Sequence, residues 1–278
     1  MLNKMLSCLL LLWGIGGMAA DLPPVEWKWG TYGLAPTGNP CAIPTPYPAK
    51  DWRNDQFAAW SKIDYSTWGK NVVFLGDSIT QMWNPHPTYP NGAAVLQAYS
   101  QKYPRVQPHS LGMSSDEPQN TLWLITEGNL LRTFPAPRVI VLMVGINSLN
   151  RGHSPEQVAG GINNVSTVLR KIRPESKILL LGIWPCWDAK APIRPKIRQT
   201  NQLIGAFADH RNVFFLDFGN RYVTAAGEPN PELLRDGIHP SEKGYALWAQ
   251  VMFPYLDDLI QTGGEGEIWH RAPQEVSP

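Results

Sequence analysis

Three short segments of this chain carry side chains that could act together as a nucleophile, its base and a donor for developing negative charge. Gly76-Asp77-Ser78-Ile79-Thr80 places a serine hydroxyl directly after an apolar run. Asp236-Gly237-Ile238-His239 places a carboxylate three residues before an imidazole. Gly145-Ile146-Asn147 places a carboxamide after a second apolar run. A serine hydroxyl is a weak nucleophile until an adjacent base takes its proton. His239 can be that base, and Asp236 can hold the other ring nitrogen and stabilise the imidazolium. Asn147 and the backbone N–H of Ser78 can donate to an oxyanion, each such donor being worth roughly 3 kcal/mol in a transition state. Singly these segments say little. Gly-Asp-Ser is commonly a turn, and Asp-x-x-His commonly caps a helix, pairs on a surface or supplies metal ligands. Their order and placement are what discriminate.

The elements that would position them alternate along the chain. Apolar runs at 71–75, 106–111, 138–144, 177–183 and 212–217 are continuous rather than alternating, as in strands buried on both faces of a parallel sheet. Helical patterns fall between and after them at 92–103, 119–131, 154–172, 195–210 and 241–259. The helix from 154 has Ser154 to cap it, Pro155 suited to its first turn and Glu156 at its positive end. Strand–helix alternation predicts βαβ units in a doubly wound α/β sheet. In such a sheet ligands bind beyond the carboxyl ends of the strands. Ser78, Asn147 and the loop Gly112-Met113-Ser114-Ser115-Asp116 each follow a strand, and His239 directly precedes the last helix, so all should meet on one rim.

The rest of the chain is read from composition. It has 278 residues, 43% of them hydrophobic, enough for a sizeable core, with 24 basic and 23 acidic side chains. That balance supplies no electrostatic argument for nucleic acid or an anionic membrane as partner. Residues 1–20 read as a cleaved secretory signal: Lys4, a short apolar core from Met5 to Trp13, and Met18-Ala19-Ala20 as cleavage site. The apolar core is shorter than the roughly 20 residues a membrane span needs, so a stable membrane anchor is not expected. Residues 21–62 read as a Pro- and aromatic-rich arm ending in a short helix at 51–62, with Trp52, Phe57 and Trp60 as its apolar contacts. The main domain spans 63–262, and 263–278 form a polar tail, loose or laid on the surface. Cleavage would leave Cys41 and Cys186, which either form a disulfide in an oxidising compartment or remain buried thiols.

The three opening motifs resemble those of the SGNH (GDSL-type) hydrolases, over about 71–259. Val158-Ala-Gly-Gly-Ile162, Lys177-Ile-Leu-Leu-Leu-Gly182 and the Gly244-Tyr245 helix after His239 are similar to the platelet-activating-factor acetylhydrolase type of catalytic subunit and its bacterial relatives. The resemblance implies a flavodoxin-like three-layer α/β/α fold with a central five-stranded parallel sheet. It implies ester hydrolysis through an acyl-enzyme at Ser78, Asp236 and His239, with no metal and no cofactor. It also implies an oxyanion hole from Ser78, Asn147 and the residue before Asp116. The family has glycine at that last position, and this chain has Ser115. A serine keeps the N–H donor, but a positive φ there would be costly for serine and cheap for glycine.

Asp77, Gly112, Trp83 and Trp184 are candidates to line the substrate pocket, and Trp123 also falls near the expected rim. His86, His109, His153, His210 and His270 lack partners at metal-ligand spacing and are read as core or loop residues. No long apolar lid separates the motifs, which points to a short acyl group such as acetyl. Secretion with many aromatics points to an acetylated carbohydrate. Acetyl transfer to a sugar by the same residues, and a catalytically silent carbohydrate-binding module, are the alternatives.

Overall fold

In the computed structural model, residues 38–270 are described, apart from 68, 132, 133 and 135. The expected signal at 1–20, the first part of the arm and the end of the tail lie outside the described residues. The five apolar runs form β1 (Val72–Gly76), β2 (Pro108–Gly112), β3 (Val139–Met143), β4 (Lys177–Leu181) and β5 (Val213–Leu216). They pair in parallel in the order β2-β1-β3-β4-β5. Almost every residue of these strands is buried, which is why the runs do not alternate. The helices are α1 (Arg53–Ser61), α2 (Ser78–Gln81), α3 (Ala93–Lys102), α4 (Pro118–Ile125), α5 (Ile146–Asn150), α6 (Pro155–Ile172), α7 (Ile193–Gly205) and α8 (Glu242–Gln261). Helices α4 to α7 pack as one layer and α3 with α8 as another. The result is the flavodoxin-like three-layer α/β/α arrangement, with its topological switch point between β1 and β3. Ser78 follows β1 and Asn147 follows β3, so both stand at that switch point.

Local chemistry sets the helix ends. Ser154 caps α6 as its sequence suggests: its Oγ accepts from Gln157 N–H at 3.2 Å, and Gln157 Oε1 accepts from Ser154 N–H at 2.9 Å. Two helices are shorter than their patterns. α4 stops at Ile125, and the chain turns through Thr126 and Asn129, the latter at φ 53°. α7 stops at Gly205, and Asp209 then accepts from the N–H groups of Arg211, Asn212 and Val213, at 2.9, 2.7 and 2.8 Å, to launch β5. A side chain that satisfies three backbone donors outcompetes one more helical turn.

Several expectations need correction. Trp83 and Trp184 are 1% and 2% exposed, so they are core residues and do not line a pocket. They stand on either side of Trp248 of α8, each 5.0 Å from it centroid to centroid, and Tyr245 and Tyr222 extend the stack. Burying an aromatic side chain of 150–250 Å² is worth roughly 4–6 kcal/mol at most, at about 25 cal/mol per Å². α8 closes over both indoles and collects that gain. Trp123 is turned to the arm, edge-on to Tyr47 and Phe57. Gly112 is a packing residue at the end of β2: a Cβ there would stand 2.2 Å from Gln81 N. Cys41 and Cys186 are both buried and both free, so the structure does not pair them. Burial pushes their thiols up to about 11 and about 12. The tail as far as His270 is laid on the domain, with Trp269 against Phe214 and Tyr255 and its Nε1 donating to Asp258 Oδ2 at 2.8 Å.

Candidate active site

Ser78 is the first residue of α2, and Asp77 is its cap, with Oδ1 accepting from Ile79 N–H at 3.0 Å. The Asp77 carboxyl is wholly buried in that role and does not face a pocket. Burial pushes its pKa from 3.8 up to about 7, against the opposing pull of the Ile79 N–H and its own backbone. Gly76 allows the sharp turn between strand and helix: a Cβ there would stand 2.1 Å from the Met143 carbonyl oxygen. Asp77 takes the Ile79 N–H, while the N–H of Ser78, at the first position of the helix, has no partner within it.

The segment 236–239 brings the base to that hydroxyl. His239 Nε2 lies 3.0 Å from Ser78 Oγ. His239 Nδ1 lies 2.7 Å from Asp236 Oδ2. A carboxylate only accepts, so the proton sits on Nδ1 and Nε2 is left with a lone pair facing the serine. Asp236 Oδ1 also accepts from the backbone N–H of His239 at 2.7 Å and of Ile238 at 3.1 Å. Partial burial raises the Asp236 carboxyl, but the hydrogen bonds from His239 and Ile238 outweigh it and hold it below the usual range. Trp184 supports the loop from the core, its Nε1 donating to Ile238 O at 3.3 Å.

The remaining two expected donors follow β2 and β3. Asp116 N–H closes a turn to Met113 O at 3.1 Å, with Ser115 as its third residue at φ 65°. That is the φ a type II turn requires at this position and the reason glycine is favoured there. Serine adopts it here, with backbone strain in place of glycine's freedom. Asn147, near the start of α5, donates from Nδ2 to Asp116 O at 3.0 Å, which fixes its carboxamide and leaves its second N–H available. The structure therefore brings together Ser78, Ser115, Asn147, Asp236 and His239 beyond the ends of β1 to β3. It does not bring Asp77, Gly112, Trp83 or Trp184 to a substrate face.

A set of residues unremarked in the sequence holds the Ser115 turn. Tyr47 OH donates to Asp116 Oδ1 at 2.8 Å. Arg53 lies over the Tyr47 ring at 4.4 Å and is fixed in turn by Asp51 at 2.7 Å. Arg53 Nη1 and Arg151 Nη1 approach Ser115 O at 3.5 and 3.4 Å. Glu117, next in sequence, accepts from Ser148 Oγ at 2.8 Å and pairs with Arg151 at 2.9 Å. Burial drives the Asp116 carboxyl well above its usual range despite Tyr47 and Arg53, and its Oδ2 has no hydrogen-bond partner. The sequence signal for this set was thin: Tyr47 and Arg53 belong to an arm without periodicity. Among the described residues, no group of three or more His, Cys, Asp or Glu side chains is placed to hold a metal ion.

A model of the GDSL-like lipase/acylhydrolase family matches residues 74–247. Platelet-activating factor acetylhydrolase IB subunit alpha1 of Homo sapiens is 28% identical over 236 residues, covering 82% of this chain and 94% of its own. Subunit alpha2 of the Rattus norvegicus enzyme is 27% identical over 234 residues, with the same shares covered. A GDSL-like lipase from Bacteroides thetaiotaomicron superposes with a TM-score of 0.57 at 19% identity, over 75% of this chain and 98% of its own. An acetyl xylan esterase from Geobacillus stearothermophilus superposes with a TM-score of 0.51 at 19% identity, over 67% of this chain and 94% of its own. The two structural likenesses bear on the fold.

Proposed function

Because the chain belongs to the GDSL-like lipase/acylhydrolase family, we propose that it is a secreted serine esterase that removes short acyl groups, acetyl foremost, from acetylated carbohydrates. The observation that carries the chemistry is the unbroken chain from Ser78 Oγ to His239 Nε2 at 3.0 Å and from His239 Nδ1 to Asp236 Oδ2 at 2.7 Å.

In this reading Ser78 Oγ attacks the ester carbonyl carbon while His239 Nε2 takes its proton. The carbonyl oxygen gains negative charge and is received by the N–H groups of Ser78, Ser115 and Asn147 Nδ2. Asp236 keeps the imidazolium oriented and compensates its charge. The tetrahedral intermediate then expels the alcohol, protonated by His239, and leaves an acyl-Ser78 ester. Water attacks that ester, His239 takes its proton, the acid departs and the Ser78 hydroxyl is restored. The protein's own groups carry every proton in this cycle.

Acetyl is supported by two lines. The acetyl group is common to the names of the curated relatives and of one structural neighbour, and no apolar lid interrupts the segments between the site loops. Carbohydrate is supported by that neighbour's name and by Trp187, which is exposed beside the loop that carries His239. Secretion rests on residues 1–20, which have the composition of a cleaved signal. The test is turnover of p-nitrophenyl acetate and release of acetate from acetylated xylo-oligosaccharides. Ser78→Ala should lose about 10⁴-fold or more in kcat. Equal rates for wild type and Ser78→Ala would overturn the proposal.

A further inference from the structure

Trp187 takes no part in the chemistry above, yet it is held in a costly conformation beside it. Its φ is 58°, a left-handed value that is an outlier for so bulky a side chain. The backbone is fixed there from both sides. Arg194 Nη2 donates to Trp187 O at 2.9 Å and to Gly227 O at 2.6 Å, and Trp187 N–H donates to Gly237 O at 3.1 Å. The indole lies against the loop that carries the base: a Cβ on Gly237 would stand 3.7 Å from Trp187 Cε3. Its Nε1 is 3.5 Å from Asn150 Oδ1, at the end of the helix that carries Asn147. With so much of its surroundings fixed, the side chain is nonetheless 41% exposed. Strain of this kind concentrates at functional sites, where the rest of the fold holds it in place.

The exposed large apolar side chains among the described residues are Ile43, Trp52, Tyr89 and Trp187. Two of these aromatics lie by the loop of the base, Trp187 directly and Tyr89 through Arg235. Trp52 precedes Arg53, which reaches Ser115 O, and Tyr89 lies 5.1 Å beneath the guanidinium of Arg235, whose Nε is 4.0 Å from Asp236 Oδ2. These are separate flat rings among polar groups rather than a continuous apolar groove. An acyl chain of a lipid needs the groove. A sugar ring needs a flat aromatic face with hydrogen-bonding groups around it.

We propose that Trp187 is the specificity-determining platform for the alcohol part of the ester, stacking on the sugar ring of an acetylated carbohydrate so that its acetyl carbonyl meets Ser78. The proposal rests on the esterase reading above. Two esters separate it from that reading: acetylated xylo-oligosaccharide, and ethyl acetate, whose leaving group offers no ring to stack on the indole. Acetate release is measured for wild type, Trp187→Gly and Trp187→Phe. Glycine accepts φ 58° without steric cost, so the first variant keeps the backbone, and phenylalanine keeps a ring. Trp187→Gly should lose about tenfold in kcat/KM on the oligosaccharide, chiefly through KM, and stay within about twofold on ethyl acetate, while Trp187→Phe keeps most of the oligosaccharide activity. As a check without a variant, unacetylated xylotriose should inhibit ethyl acetate hydrolysis by wild type competitively. Equal losses on both esters, no loss on the oligosaccharide, or a wild type active on ethyl acetate alone would overturn the platform and leave the esterase standing. A wild type inert on both esters would overturn the esterase reading, and the platform with it.

Discussion

Asp236 to His239 and Met113 to Glu117, the loops of the proposed base and of one proposed oxyanion donor, are built by opposite means. The first loop is local. Asp236 takes three hydrogen bonds from within its own next three residues, and they hold its partly exposed carboxyl below the usual pKa. The second is distant in its supports. Asp116 is wholly buried, pushed well above the usual range by burial, and held by Tyr47 from 69 residues upstream. Arg53 and Arg151 reach the Ser115 carbonyl from 62 and 36 residues away. A base must have its tautomer and direction set, which neighbouring backbone groups can do. The Ser115 turn must be kept at an unfavourable φ, which takes constraint from several elements at once.

That contrast predicts where each loop is vulnerable. Asp236→Asn keeps the backbone acceptor but presents an amide N–H to His239 Nδ1, which reverses the tautomer. It should lower kcat on an acetyl ester about 10⁴-fold with little change in melting temperature, checked by steady-state kinetics beside a thermal melt. Tyr47→Phe attacks the other loop from the arm. It leaves a buried Asp116 oxygen without its donor and should cost about 1–3 kcal/mol in urea unfolding, together with a several-fold loss of kcat. A Tyr47→Phe protein with unchanged stability and rate would break the idea that the arm holds the oxyanion side. Ser115→Gly should have the smallest effect. It removes the left-handed strain and should add up to about 1 kcal/mol of stability while kcat stays within twofold, measured on the same two assays.

The same contrast explains what could be read from sequence. Ser78, Asp236 and His239 were legible because strand-end placement and a three-residue spacing are local properties. So were the five buried strands and the Ser154 cap of α6. The left-handed Ser115 was legible only as a departure from the glycine its resemblance implies. The supports of that turn were not, because Tyr47 and Arg53 meet Asp116 only through packing of the arm on α4 and α6. The tryptophans failed for a related reason. Trp184 and Trp187 sit three residues apart after β4, and nothing in their spacing says which one α8 will cover. Trp248 takes Trp184 into the core, and a positive φ leaves Trp187 outside. The end of α7 was missed because an Asp209 side chain satisfying three backbone donors competes with a helical pattern that continues through it.

The central claim is that Ser78 carries the acyl group. Exposure of the wild-type protein to a diethyl phosphate ester that phosphorylates activated serines, followed by peptide mass spectrometry, tests it most directly. One diethylphosphoryl group is expected, on Ser78, appearing in step with loss of esterase activity and absent from His239→Ala. Activity that persists without modification of Ser78, or that is lost through modification of another residue, would contradict it.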